Sequence, residues 1–347
     1  MSELILELIM MIMKIVKNKS ISLLSSLFIL YVVLVGFYTY NYHGYVSYLE
    51  VSKFIVPLLS LFILGFINDE KKYSLLKVGI FFFVVHFFIS LFFYSSFQLS
   101  DGRLSSMLLG RGANEFALAI AFMMILIHNK DLLPRVMSRY LRVRWIRYLA
   151  YFMLAVLLFN TQSRSGLIMI GTYYFVMNMR RIPGMGYKKF GINALIFWFL
   201  ICIILTILVY LSIEYYFFSE HLNFRFFLSG RYDVWENNIL YFRDFSVAEV
   251  ILGSDFTTKN ILLNDLRYFS DSHSLYLDLF KYFGLFGVST FFLTLILNFK
   301  KNQLSKAILY AFLITNLVVV SFRYPYIFYV NILVFTMISI RWDLIKK

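Results

Sequence analysis

The chain has 347 residues, of which 61% are hydrophobic and 20% aromatic, and a formal net charge of +14. Soluble domains are about 45–50% apolar, so this composition excludes an ordinary soluble protein and points to a polytopic membrane protein. The single cysteine, Cys202, lies in an apolar run and excludes an intrachain disulfide or a cysteine-based metal site, while the surplus Lys and Arg fall in short segments between apolar runs, a topology signal and not a nucleic-acid footprint.

Residues 2–17 are apolar but carry Glu3 and Glu7 in place of a basic leader, and predict an amphipathic surface helix with no cleaved signal peptide. Apolar runs bounded by charge then predict about ten transmembrane helices, at 21–40, 53–67, 77–97, 112–128, 148–160, 164–179, 190–213, 274–299, 306–322 and 324–341. The chain therefore reads as one all-α integral membrane domain over 1–347. Asn160 to Gly166 breaks an otherwise continuous apolar stretch with polar residues, and this break is expected at the outer face. One large outer loop, 214–273, opens on Tyr215-Tyr216-Phe217-Phe218 and predicts short helices around Trp235, with a turn at Gly253-Ser254-Asp255. Beyond it Asp278 and Lys281 predict a partly exposed helix start, and Gly284 and Gly287 predict a bend before the chain crosses.

Of 33 basic residues, 22 fall on the side of the N-terminus, which places both termini in the cytoplasm. Eight of the other eleven are Arg, including Arg103, Arg111, Arg164, Arg231 and Arg323. Guanidinium groups grip phosphate or carboxylate bidentately, so the outer face looks built to hold an anion. Each has a plainer reading as an interfacial Arg that snorkels to hold a span end.

Three outer segments share that side: Thr161-Gln162-Ser163-Arg164-Ser165-Gly166, Ser229-Gly230-Arg231-Tyr232-Asp233-Val234-Trp235, and Asp271-Ser272-His273-Ser274-Leu275-Tyr276-Leu277 leading into Phe283-Gly284-Leu285-Phe286-Gly287. Arg111-Gly112-Ala113-Asn114-Glu115-Phe116-Ala117 opens an earlier helix. In order and sidedness this set resembles the O-antigen polymerase (Wzy-type) and O-antigen ligase family of membrane glycosyltransferases. Ser274 stands where Asn often follows the family's His.

The resemblance implies a helical GT-C-like fold and an active site at the periplasmic face of the bacterial inner membrane. It also implies polyprenyl-pyrophosphate-linked oligosaccharides as donor and acceptor, with no metal, cofactor or nucleotide sugar. A flippase and a chain-length regulator would be partners in the same pathway. Residue chemistry points the same way. A departing pyrophosphate needs fixed cations, for which Arg164 and Arg231 are the first candidates and Arg111, Arg103 and Arg323 the next. His273 has the near-neutral titration suited to receive a proton from, or orient, a sugar hydroxyl. Asp233, Glu236 and Asp271 are the alternative sources of that base, and Asp233 and Asp271 otherwise pair with outer arginines. Trp235 and Tyr276 either stack on sugar or sit in the interfacial aromatic belt. The sequence lacks P-loop, GxGxxG, CxxC and HExxH patterns. A ligase using the same donor, and a transporter of lipid-linked sugars, are the alternative readings.

Overall fold

The computed structural model describes residues 30–31, 54–92, 113–178, 234–235, 238, 242–243, 245–253, 261–262, 268–269, 274–300, 302–317 and 325–342. They are mostly helical. In chain order the helices are α1 (Phe54–Leu64), α2 (Asp69–Phe92), α3 (Ala113–His128), α4 (Arg135–Tyr140), α5 (Arg144–Asn160), α6 (Arg164–Asn178), α7 (Val247–Leu252), α8 (Leu275–Asn298), α9 (Gln303–Thr315) and α10 (Pro325–Ser339). One short antiparallel pair, Ile261–Leu262 with Tyr268–Phe269, lies in the predicted loop and was not expected from its sequence. Among the described residues two helical stretches, Asp69–Leu91 and Leu275–Ile296, are long and apolar enough to cross a membrane by length and composition alone, and the second is broken at Gly284.

Eight predicted apolar runs coincide with helices, and the runs at 21–40 and 190–213 lie outside the described residues except for helical Leu30 and Tyr31. The polar break is placed to the residue, with α5 ending at Asn160 and α6 starting at Arg164. By contrast α2 begins at Asp69, well before the predicted 77. The Asn68 carboxamide accepts from the Lys71 amide at 2.9 Å, and Asp69 and Glu70 suit the positive end of the helix dipole. Charge in that first turn starts the helix and does not mark a loop.

α3 is the central element and is buried along most of its length from Ala113 to Ile127. It packs against α5, α6 and α10, while α9 lies between α6 and α10, and α10 lies against α2. Gln303 of α9 donates to the Val176 carbonyl of α6 at 2.6 Å, so these two helices run antiparallel. Lys72 donates to the Ser339 carbonyl at 3.2 Å and Arg341 Nε lies 2.8 Å from Asp69 Oδ2, which makes α2 and α10 antiparallel too. The Lys300 amide bonds to the Ile338 carbonyl at 3.0 Å. These contacts gather Asp69, Lys72, Lys300 and Arg341 at one end of the bundle, here called the basic end. The starts of α3, α6 and α10, and the end of α9, lie at the opposite, distal end.

α8 is bent far more sharply than its sequence predicts. The rings of Tyr276 and Phe292 stack with centroids 5.6 Å apart. A straight helix would hold these residues about 24 Å apart, and a right-angle bend midway between them would still leave about 17 Å between their Cα atoms. The chain therefore folds back at Gly284, whose φ of 62° and ψ of −165° are open to glycine alone. The first arm, 275–283, is partly exposed as predicted at Tyr276, Leu277, Phe280 and Tyr282, but its two charged residues are buried, Asp278 at 1% and Lys281 at 4% exposed.

The reversal is held from outside. α7 opens on a capping box between Ser246 and Glu249 and ends at Gly253, φ 89°, at the predicted turn. A Cβ on Gly284 would strike the Ile251 carbonyl and the Gly253 nitrogen; one on Gly253 would strike the backbone of Tyr282 and Phe283. The loop helix and the bend interlock through two glycines, and the Tyr31 hydroxyl donates to the Leu252 carbonyl beside them.

Candidate functional site at the distal end

The turn between α5 and α6 is built from small polar side chains. Thr161 caps α5 and its hydroxyl donates to the Leu158 carbonyl at 2.6 Å. The Ser163 amide donates to Thr161 Oγ1 at 3.2 Å. Between them Gln162, at φ 50°, is the one non-glycine with positive φ among the described residues. Such a conformation costs an L-residue roughly 1–2 kcal/mol and persists only where neighbours fix it.

Those neighbours are buried. Ser163 Oγ donates to Asn114 Oδ1 on α3 at 2.7 Å, and it lies 2.7 Å from Ser165 Oγ. Thr161, Ser163 and Ser165 are each 4% exposed or less. One turn into α6, a Cβ on Gly166 would come within 2.8 Å of the Ala117 carbonyl oxygen and 2.6 Å of Leu158 Cδ1. Glycine there permits the close approach of α3 and α6 that brings Asn114 to the turn. Arg164 stands exposed on this base as the first residue of α6. A cation at a helix N-terminus opposes the dipole, so helix electrostatics do not account for its placement.

The start of α8 belongs to the same end. The Leu275 amide donates to the Asn316 carbonyl at 3.0 Å, just past the end of α9, and the Tyr276 hydroxyl donates to the Leu313 carbonyl at 2.6 Å. In sequence α3, α8 and α10 begin two residues after Arg111, His273 and Arg323. The structure thus gathers the helix starts that follow three predicted site residues at the end that carries Arg164.

Of the predicted residues themselves, three are described. Arg164 is exposed at the distal end. Tyr276 is partly buried, with its hydroxyl on Leu313 and its ring on Phe292. Trp235 lies in helical backbone, half-buried, and its buried indole Nε1 has no hydrogen-bond partner among the described residues. Arg103, Arg111, Arg231, Asp233, Glu236, Asp271, His273 and Arg323 lie outside the described residues.

Sequence reasoning passed over Asn114, Ser163 and Ser165 as individuals, although each stands in a motif singled out above. It also left Asp278 and Lys281 out of the site. They are buried one helical turn apart, with Lys281 Nζ 5.4 Å from the Tyr282 ring centroid. No cluster of metal-ligating side chains occurs among the described residues. No family model matches the sequence, and no curated protein matches it.

Proposed function

We propose that the chain is a multi-span glycosyltransferase of the bacterial inner membrane that polymerises polyprenyl-pyrophosphate-linked oligosaccharide repeat units at the periplasmic face. In this reading the chain crosses the bilayer about ten times in a GT-C-like helical fold, with both termini cytoplasmic and 214–273 as the periplasmic loop. The observation that carries it is the set of helix starts sharing the distal end with the buried hydroxyl turn under Arg164. That turn fixes the backbone from which one exposed guanidinium projects, as a preorganised charge-stabilising group requires.

In the proposed reaction the hydroxyl oxygen of a new lipid-linked unit attacks the anomeric carbon of the growing chain. The new glycosidic C–O bond forms as the bond to pyrophosphate breaks. The hydroxyl proton passes to His273, with Asp233, Glu236 or Asp271 as the alternative base. The leaving polyprenyl pyrophosphate takes the electron pair, and Arg164 and Arg231 meet its charge, with Arg103, Arg111 and Arg323 around them. Trp235 and Tyr276 border the sugar. A flippase supplies the units and a chain-length regulator limits the product.

The test is the glycan ladder of a deletion strain complemented with variants. Arg164→Ala and His273→Ala are expected to abolish elongation while the protein still inserts, leaving one repeat unit on the lipopolysaccharide. Normal chain length in either variant removes that residue's role. Complete loss of repeat units in the deletion strain assigns the ligase reaction. Purified protein that yields no longer glycan from lipid-linked units assigns transport.

A further inference from the structure

We propose that the segment from Pro134 to Arg147, at the basic end, is a docking surface for the head groups of anionic phospholipids. α4 is fixed on its inward side, where Ser138 and Leu141 are buried together with Leu132 and Leu133 just before it. Its outward side carries Val136 and Tyr140, 67% and 60% exposed, followed beyond the helix by exposed Val143. Arg135, Arg139, Arg142 and Arg144 are exposed alongside them. Apolar and cationic side chains interleaved on one outward surface suit a helix lying in the head-group layer. The apolar tips reach the acyl boundary and the guanidinium groups stay at the phosphates.

α5 leaves this patch with an exposed stripe at helical spacing: Trp145, Tyr148, Leu149, Phe152, Met153 and Val156. The stripe opens on two amphipathic aromatics, with the Arg147 guanidinium 5.9 Å from the Tyr148 ring centroid, and continues as purely apolar side chains. Nucleic acid would use the cations and leave this stripe bare, whereas a bilayer engages both. The type of cation adds an independent argument. Between 130 and 147 the sequence has Lys130 and five Arg, whereas at the same end the first turns of α2 and α9 carry Lys71, Lys72 and Lys306, Lys300 follows α8, and Arg341 is paired to Asp69. Lysines suffice to set sidedness, but the planar Arg fork matches phosphate geometry. The phosphate favoured is one not offset by its own ammonium, as in phosphatidylglycerol against phosphatidylcholine.

The full chain, reconstituted in vesicles of mixed phosphatidylglycerol and phosphatidylcholine and re-extracted, should retain phosphatidylglycerol above its share of the bilayer. The enrichment should shrink as salt is raised. Replacing Arg135, Arg139, Arg142 and Arg144 together by Gln should lower it about fivefold or more, and replacing them by Lys should restore part of it. Retention at the bulk lipid ratio, equal enrichment in the Gln variant, or displacement of the lipid by a mixed-sequence DNA oligonucleotide would overturn the proposal. Should the Gln variant not be recovered from membranes, the salt series on the unaltered chain decides, and an enrichment indifferent to salt rejects the site.

Discussion

The two ends of the bundle hold their polar groups by opposite means. At the basic end one carboxylate, Asp69, is shared by two cations, exposed Arg341 at 2.8 Å and buried Lys72 at 3.7 Å, and Lys72 also donates to the Ser339 carbonyl at 3.2 Å. Others there, such as Arg135 and Arg139, stand exposed. At the distal end the groups under Arg164 are small, neutral and buried, and they bond to one another across two helices. Exposed ion pairs contribute little stability and leave long side chains free to move. Buried, mutually satisfied hydroxyls cannot be altered singly without stranding a partner. The difference teaches that one end is arranged to meet a surface and the other to hold a backbone in one geometry.

Substitutions at each end test that contrast, and the largest effect is expected where the distal end is clasped. Gly284→Ala places a side chain at a positive φ and against the Ile251 carbonyl, and is expected to destabilise by about 3 kcal/mol. Thermal unfolding and faster proteolysis within 245–253 would register it, and wild-type values for both would mean that the glycine contact is not required. Ser163→Ala strands Asn114 Oδ1 and Ser165 Oγ, and about 1–2 kcal/mol of stability should go with it. Glycan elongation should fall as well, because the turn beneath Arg164 loosens. At the basic end Arg341→Gln removes the 56%-exposed guanidinium from Asp69 and leaves that carboxylate to Lys72. It should cost about 0.5 kcal/mol and leave elongation unchanged. A Ser163→Ala effect no larger than that of Arg341→Gln would dissolve the distinction between the ends.

Much of the helical framework was legible because apolar runs bounded by charge fix where helices lie. The α5–α6 break was found to the residue since hydroxyl and amide side chains interrupt hydrophobic sequence at Asn160 to Ser163. The fold-back of α8 was legible only as a bend. Its residues are equally apolar whether the helix runs straight or doubles back, and what decides is a positive φ at Gly284 together with Ile251 and Gly253 arriving from a distant loop helix. The burial of Asp278 and Lys281 escaped for the same reason, because charge alone reads as exposure until a tertiary partner covers it. Of the candidate site, Arg164 was legible from the motif, whereas the support from Asn114 depends on a helix crossing at Gly166 that a single sequence does not encode locally. Arg231 and His273 lie outside the described residues, and it is the motif order that joins them to Arg164 in the proposed site.

The central claim is that the distal and basic ends face opposite sides of the membrane. The most direct measurement uses single cysteines at Arg164→Cys and Arg139→Cys, each in a Cys202→Ser background, with a membrane-impermeant maleimide added to spheroplasts. Position 164 is predicted to label in intact spheroplasts, and position 139 only after permeabilisation. Labelling of both positions from the same side would contradict it.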